Sequence, residues 1–319
     1  MSNIFYGTAL LDDAQVEKAL KTSEGVERVA SLVLSMKEKG LLPYIDKYAS
    51  EYDVPREYVF GIILDEQFRS HGGSEINSGD MGDSILSFFD VEGTSTGMAQ
   101  TEPRLVAKCF LKYDFVPSSA GGKSLKRMYL KEMKMIAAEI EVEDSGDTGL
   151  DPYDIDPESI SDEEIEATRD IVSIDDFSTE FFEDINSKLV SDNEFVIEVV
   201  AFLLDYYRNK WRSIEGLKNL DNWHDSIDEW DVIAYTYSRG LEDLQDKGSF
   251  GSPEERKARD LPERPSGTTR GKGIGDIGRE ALQVLDDLDG DKDLQESIRI
   301  SEARIRKIIR EAIVRRVYN

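Results

Sequence analysis

The sequence predicts a mainly α-helical fold, and three observations predict it. Apolar residues recur at helical spacing from Asp13 to about Ser70, helical patterning resumes at Glu102-Pro103, and a more apolar helical run fills EFVIEVVAFLLDYYRNKW. The one short apolar run in a Gly, Ser, Asp and Thr background is SILSFFDVEG, which suits a loop or small β-hairpin between Ser70 and Thr101.

The elements follow in order. Val26, Val29, Ala30, Leu32, Val33 and Met36 mark a first helix; Leu41, Tyr44, Ile45 and Tyr48 a second; Val59, Ile62, Ile63 and Leu64 a third. Start signals for the third are Asp53 as a cap, Pro55 in the first turn and Glu57 at the positive helix end. Helices resume at Glu102-Pro103 and run through Met135. Residues 139–184 then hold 19 acidic residues against Arg169 alone, which reads as an acidic, partly disordered insertion. EFVIEVVAFLLDYYRNKW is apolar on nearly every face and is expected as the buried central helix, with DEWDVIAYTYSRGLEDLQ as the helix after it.

Beyond Lys247 the composition turns to Gly, Pro, Arg and Lys, the signature of a linker. The expected organisation is a helical domain over 1–248 containing the insertion at 139–184, a flexible linker over 249–298, and a C-terminal helix over 299–319. That last segment, ISEARIRKIIREAIVRRVYN, sets Ile305, Ile308, Ile309, Ala312 and Ile313 on one face and opens at Ser301 as cap. Residues 299–319, Arg299 included, hold seven Lys or Arg against Glu302 and Glu311, a net of +5, so the −27 of the whole chain leaves −32 on residues 1–298. Such asymmetry suggests a tethered element with its own partner.

Composition excludes several functions. A charge of −27 opposes nucleic-acid binding, because phosphate affinity rests on basic residues that release counterions. No apolar run approaches the roughly 20 residues of a membrane helix. The start, MSNIFYGTALLDDAQVEK, has no signal-peptide pattern, so cytoplasmic synthesis is expected, with any export by a route that reads no signal. Cys109 is the single cysteine, so no internal disulfide forms, and its apolar setting reads as a buried, inert thiol. With His71 and His224 the only histidines, a His-rich zinc site is not expected, and neither metal nor cofactor is assigned.

Two further patterns carry little. Gly273-x-Gly275-x-x-Gly278 has dinucleotide-fingerprint spacing but follows the Pro/Arg-rich stretch rather than a strand. DDLDGDKD at 286–293 resembles a calcium loop in composition only and reads as a solvated acidic turn.

The chemistry centres on Glu66, which ends the run Val59-Phe60-Gly61-Ile62-Ile63-Leu64-Asp65. A carboxyl at a helix end against apolar side chains is pushed toward its protonated form, which is what protonation of a glycosidic oxygen needs. A second segment, Ser95-Thr96-Gly97-Met98-Ala99-Gln100, joins short polar side chains to a glycine that permits close backbone approach.

LLPYIDKYASEYDVPREYVFGIILDEQFR followed by GTSTGMAQTEPRLVA resembles goose-type lysozymes and soluble lytic transglycosylases, in which a helix ends in the catalytic Glu and a Ser-x-Gly-x-x-Gln turn follows. Downstream, FVIEVVAFLLDYYRNKW and VIAYTYSRG resemble the family's later helices, with Tyr237 and Gly240 at the tyrosine and glycine positions and Ser238 departing from the usual Asn. The resemblance implies a lysozyme-like fold and cleavage of peptidoglycan glycan strands. Glu66 would be the catalytic acid, and Ser95, Gly97, Met98, Gln100 and Tyr237 the residues that hold the sugars. Hydrolysis with two carboxylates and transglycosylation with one both stay open: Asp80, Asp83 and Asp90 either supply a second carboxylate or are solvated.

The C-terminal segment resembles a short tail found on marine bacteriophage proteins, which implies a virion or assembly partner for 299–319. A second class of function follows from the charge. A lysozyme-fold structural component without turnover, docked through that tail, fits an acidic body better than a hydrolase of anionic walls does.

Overall fold

A computed structural model of the chain describes residues 23–70, 99, 101–145, 161–213, 229–239 and 268–290. Among these residues there are ten α-helices and one 3-10 turn and no strand, in keeping with the mainly α class. The expected loop or β-hairpin over 71–98 and the C-terminal helix over 299–319 lie outside the described residues. No described helix is long and apolar enough to cross a membrane. The chain divides into two compact units, Met1–Leu86 with Val200–Asn319, and Ser87–Val199.

In the first unit, α1 (Ser23–Glu38) buries Val29, Leu32, Val33 and Met36 on one stripe. It ends in a left-handed Gly40, φ +66°, with Leu41 N–H bonded to Met36 O at 3.1 Å and Gly40 N–H to Lys37 O at 2.9 Å. That pairing satisfies the last carbonyls and turns the chain directly into α2 (Leu42–Glu51). The same device closes α2, with Asp53 left-handed at φ +51° and Val54 N–H on Ala49 O at 2.9 Å. Asp53 therefore terminates α2 and is not the cap expected for the next helix, α3 (Arg56–Ser70). The short polar side chain that suits a cap also suits the left-handed position.

Tyr58, Val59, Phe60, Ile62, Ile63 and Leu64 are all buried, so α3 is a core helix of this unit. Two further helices, α9 (Glu229–Arg239) and α10 (Thr268–Gly290), pack with it. The Tyr58 hydroxyl donates to Asp231 Oδ1 on α9 at 2.9 Å in a buried setting.

Residues 268–290 were expected inside a flexible linker, and the structure corrects that reading. They form α10, with Ile274, Ala281, Leu282 and Leu285 buried. The glycines that suggest flexibility serve close helix approach instead. A Cβ on Gly278 would run into Glu57 O and lie 3.1 Å from Gly61 N, and one on Gly61 would run into Ile274 O. Residue 278 meets 57 while 274 meets 61, so α3 and α10 cross antiparallel with backbones nearly touching. The Gly273-x-Gly275-x-x-Gly278 pattern thus lies within a packed helix.

In the second unit, α4 (Pro103–Lys112) carries proline in its first turn and buries Val106, Ala107, Cys109, Phe110 and Leu111. The Cys109 thiol is fully enclosed, and burial pushes its pKa far above the ordinary thiol range, as expected of an inert cysteine. α5 is Ala120–Ser145, α6 Asp162–Arg169 and α7 Thr179–Ser191, with a 3-10 turn at Ile174–Asp176; α8 (Asn193–Ser213) gives residues 193–199 to this unit and 200–213 to the first.

The acidic stretch is far more built than its charge suggests. Ser161 with Glu164 and Ser173 with Asp176 form capping boxes, and Ser178 Oγ accepts from Phe181 N–H. Ile165, Val172, Phe177 and Phe181 are buried, and the last two join Phe110, Phe115 and Tyr129 in a chain of ring contacts. The disordered-insertion reading therefore fails for 161–184; residues 146–160 lie outside the described residues.

Arg169, the one base in that stretch, donates to Phe110 O at 3.0 Å and Leu111 O at 2.7 Å and pairs with Asp114 at 2.6 Å. It covers the last carbonyls of α4. Arg169→Ala is expected to destabilise the protein by about 2 kcal/mol, since charged hydrogen bonds contribute roughly 1.5–3 each. Urea unfolding of the full chain measures this, and an unchanged midpoint would leave those carbonyls without need of the guanidinium.

Candidate active site

Glu66 lies in the next-to-last turn of α3, 9% exposed, beside buried Leu64, Gln67 and Phe68. The chain folds helically there because the apolar run from Tyr58 to Leu64 buries every side of α3, and the carboxyl is carried into the same interior. At the end of the helix Arg28 from α1 donates to Phe68 O at 2.7 Å, and its guanidinium lies 4.8 Å from the Phe68 ring centre. This cation covers a carbonyl that the ending helix leaves open.

Tyr237 is half-buried on α9, one residue beyond Thr236, whose hydroxyl accepts from Trp211 Nε1–H at 2.9 Å. Glu66 and Tyr237 thus belong to one compact unit, on helices that both pack with α10 and are tied by the Tyr58–Asp231 bond. Ser95, Gly97, Met98 and Gln100 lie outside the described residues, as do Gly240, Asp80, Asp83 and Asp90. Ala99 and Thr101, on either side of Gln100, are buried. No group of His, Cys, Asp or Glu among the described residues could hold a metal ion.

Sequence reasoning missed a second buried carboxylate. Glu198, on the part of α8 in the second unit, is wholly enclosed and accepts from the backbone N–H of Ser118 and Ser119 and from the Ser119 hydroxyl, at the start of α5. An acceptor there satisfies N–H groups that a helix start leaves unpaired. Burial pushes its pKa up, and the hydrogen bonds from Ser119 and Ser118 pull the other way without cancelling it. A folded-state value above the ordinary 4.5 means that this group's contribution is full below that value and is lost as pH rises through the folded pKa. Glu198→Gln does not titrate, so its urea midpoint relative to the wild type should improve from pH about 4 to about 8. A constant difference across that range would rule out the linkage. With its oxygens taken by Ser118 and Ser119, Glu198 is a structural group.

Also missed was a pocket of about 570 Å³ in the first unit, at the opposite end of α3 from Glu66. Asp46, Ser50, Asp53, Arg56, Arg208 and Trp230 are among the residues that line it. Arg208 is 11% exposed along its side chain and donates to Asp53 O at 2.7 Å, to Asp53 Oδ2 at 3.1 Å and to Asp205 Oδ1 at 2.6 Å. Its guanidinium carbon lies 5.1 Å from the Trp230 ring centre. These residues come together from α2, α3, α8 and α9, and no local pattern in the sequence links them. No family model, no curated protein and no solved structure matches the chain.

Proposed function

We propose that the chain cleaves the glycan strands of peptidoglycan, with Glu66 as the acid that protonates the leaving oxygen. The observation that carries this reading is the burial of Glu66 near the end of a core helix, in the unit that also contains Tyr237. A general acid needs a carboxyl shielded from bulk water, and Glu66 is 9% exposed. In the one-carboxylate course, Glu66 gives its proton to the glycosidic oxygen as the C1–O bond breaks. It then takes the proton of the sugar's own 6-hydroxyl as that oxygen bonds to C1, which closes an anhydro ring. Ser95, Gly97, Met98, Gln100 and Tyr237 are the proposed contacts to the sugars. The 299–319 tail would serve delivery or assembly on a virion.

The charge of −27 supports the second reading, a lysozyme-fold structural part without turnover. One experiment separates the two: clearing of purified, stained sacculi in a gel by the full chain and by Glu66→Gln over a range of salt and pH. Clearing by the wild type alone supports the enzyme; no clearing by the wild type under any condition supports the structural part.

A further inference from the structure

We propose that the pocket between Asp53, Arg56, Arg208 and Trp230 binds one neutral sugar ring, and so grips a glycan strand away from the bond that Glu66 would cut. The inference deepens the glycan-cleavage reading and rests on it for the choice of ligand. Ten residues separate Arg56 from Glu66 on α3, roughly 15 Å along the axis, so the pocket is separate from the catalytic position.

The charge of the lining selects the ligand class. Two guanidinium groups face two carboxylates: Arg56 pairs with Asp46 at 3.3 Å, and Arg208 with Asp53 at 3.1 Å. Asp53 is 94% exposed along its side chain although paired with Arg208, so an anion drawn to the guanidinium groups also meets that carboxylate, and a cation drawn to Asp53 meets two guanidinium groups. A ligand with many hydroxyls and no charge avoids both penalties, because each hydroxyl donates to a carboxylate and accepts from a guanidinium.

A further observation favours an oxygen-rich ring in the space beside Arg208. Trp230, beside it, gives the wall an indole surface against which the C–H face of a sugar can pack. The volume of about 570 Å³ lies within the range of small-molecule sites.

The test is a titration of the full chain with the N-acetylglucosamine tetramer, followed by the indole N–H signals in NMR, with the Trp230 signal assigned through Trp230→Phe. Glu66→Gln serves as the binding form, so that cleavage does not deplete the ligand. The Trp230 signal should shift on titration, and Ser50→Phe, which fills the pocket from an exposed position of α2, should weaken binding at least about tenfold. A Trp230 signal that stays fixed, a Ser50→Phe protein that binds unchanged, or a shift with inorganic phosphate in place of the tetramer would each overturn the proposal. Cleavage of sacculi with a fixed Trp230 signal would defeat the pocket alone. A shifting signal in a protein that never cleaves sacculi would keep the pocket and defeat the enzyme.

Discussion

Gly278→Ala is expected to lower the stability of the protein by about 3 kcal/mol, and Gly278→Val to prevent folding of the first unit, because overpacking costs roughly 1–3 kcal/mol or more. The added methyl has no flexible neighbour to displace: it meets Glu57 O and Gly61 N, both backbone atoms of α3. Folded domains hold only about 5–15 kcal/mol in reserve, so forcing two core helices apart consumes a large part of it. Gly273→Ala, on the same helix, is the control. Nothing lies within 4 Å of its Cβ, so the change should stabilise by up to about 1 kcal/mol through helix propensity. Opposite signs at two glycines five residues apart are the mark of a packed α10. Were residues 268–290 a linker, both changes would leave the urea midpoint unmoved.

Glu66→Gln is expected to reduce the release of soluble glycan fragments by roughly 10²–10⁴-fold, the usual contribution of a general acid. The amide keeps the shape of the side chain and removes the proton to be given. Its thermal midpoint should stay close to that of the wild type, which separates loss of chemistry from loss of fold. Asp65→Asn, on the more exposed neighbouring position of α3, should retain activity.

How far the fold is legible in the sequence depends on what masks the apolar spacing. In α1 to α3 nothing does: Val29, Leu32, Val33 and Met36, then Ile45 and Tyr48, then Val59 to Leu64 stand at helical intervals and are buried. Over 161–191 the same signal exists in Ile165, Phe181, Ile185 and Leu189, but 19 acidic residues over 139–184 hide it from a reading by composition. Among the described residues, Glu163, Glu164, Glu166, Asp175, Asp176 and Glu180 lie at caps or on exposed faces, which cost the core little. In α10 the mask is glycine, whose presence argues for flexibility although Ile274, Ala281, Leu282 and Leu285 keep the helical interval. Glycine has two uses, conformational freedom and close approach, and only the partner helix distinguishes them.

The candidate site divides in the same way. Glu66 is singled out by the resemblance of its segment and the 95–100 segment to lysozymes rather than by its own segment alone, and the helix runs on past it to Ser70 while the preceding apolar run carries it into the interior. Arg208 and Asp53 are 155 positions apart and meet only when α2 and α8 pack, so their pocket has no local trace.

The glycan-cleavage reading is tested most directly by mass analysis of the soluble fragments released from purified sacculi by the full chain. Disaccharide-peptide fragments that end in an anhydro sugar, lighter by one water than the hydrolysed product, are expected, and they should vanish with Glu66→Gln. Fragments with ordinary reducing ends would replace the one-carboxylate course with hydrolysis, and an absence of sugar fragments from the wild type would contradict the enzymatic reading.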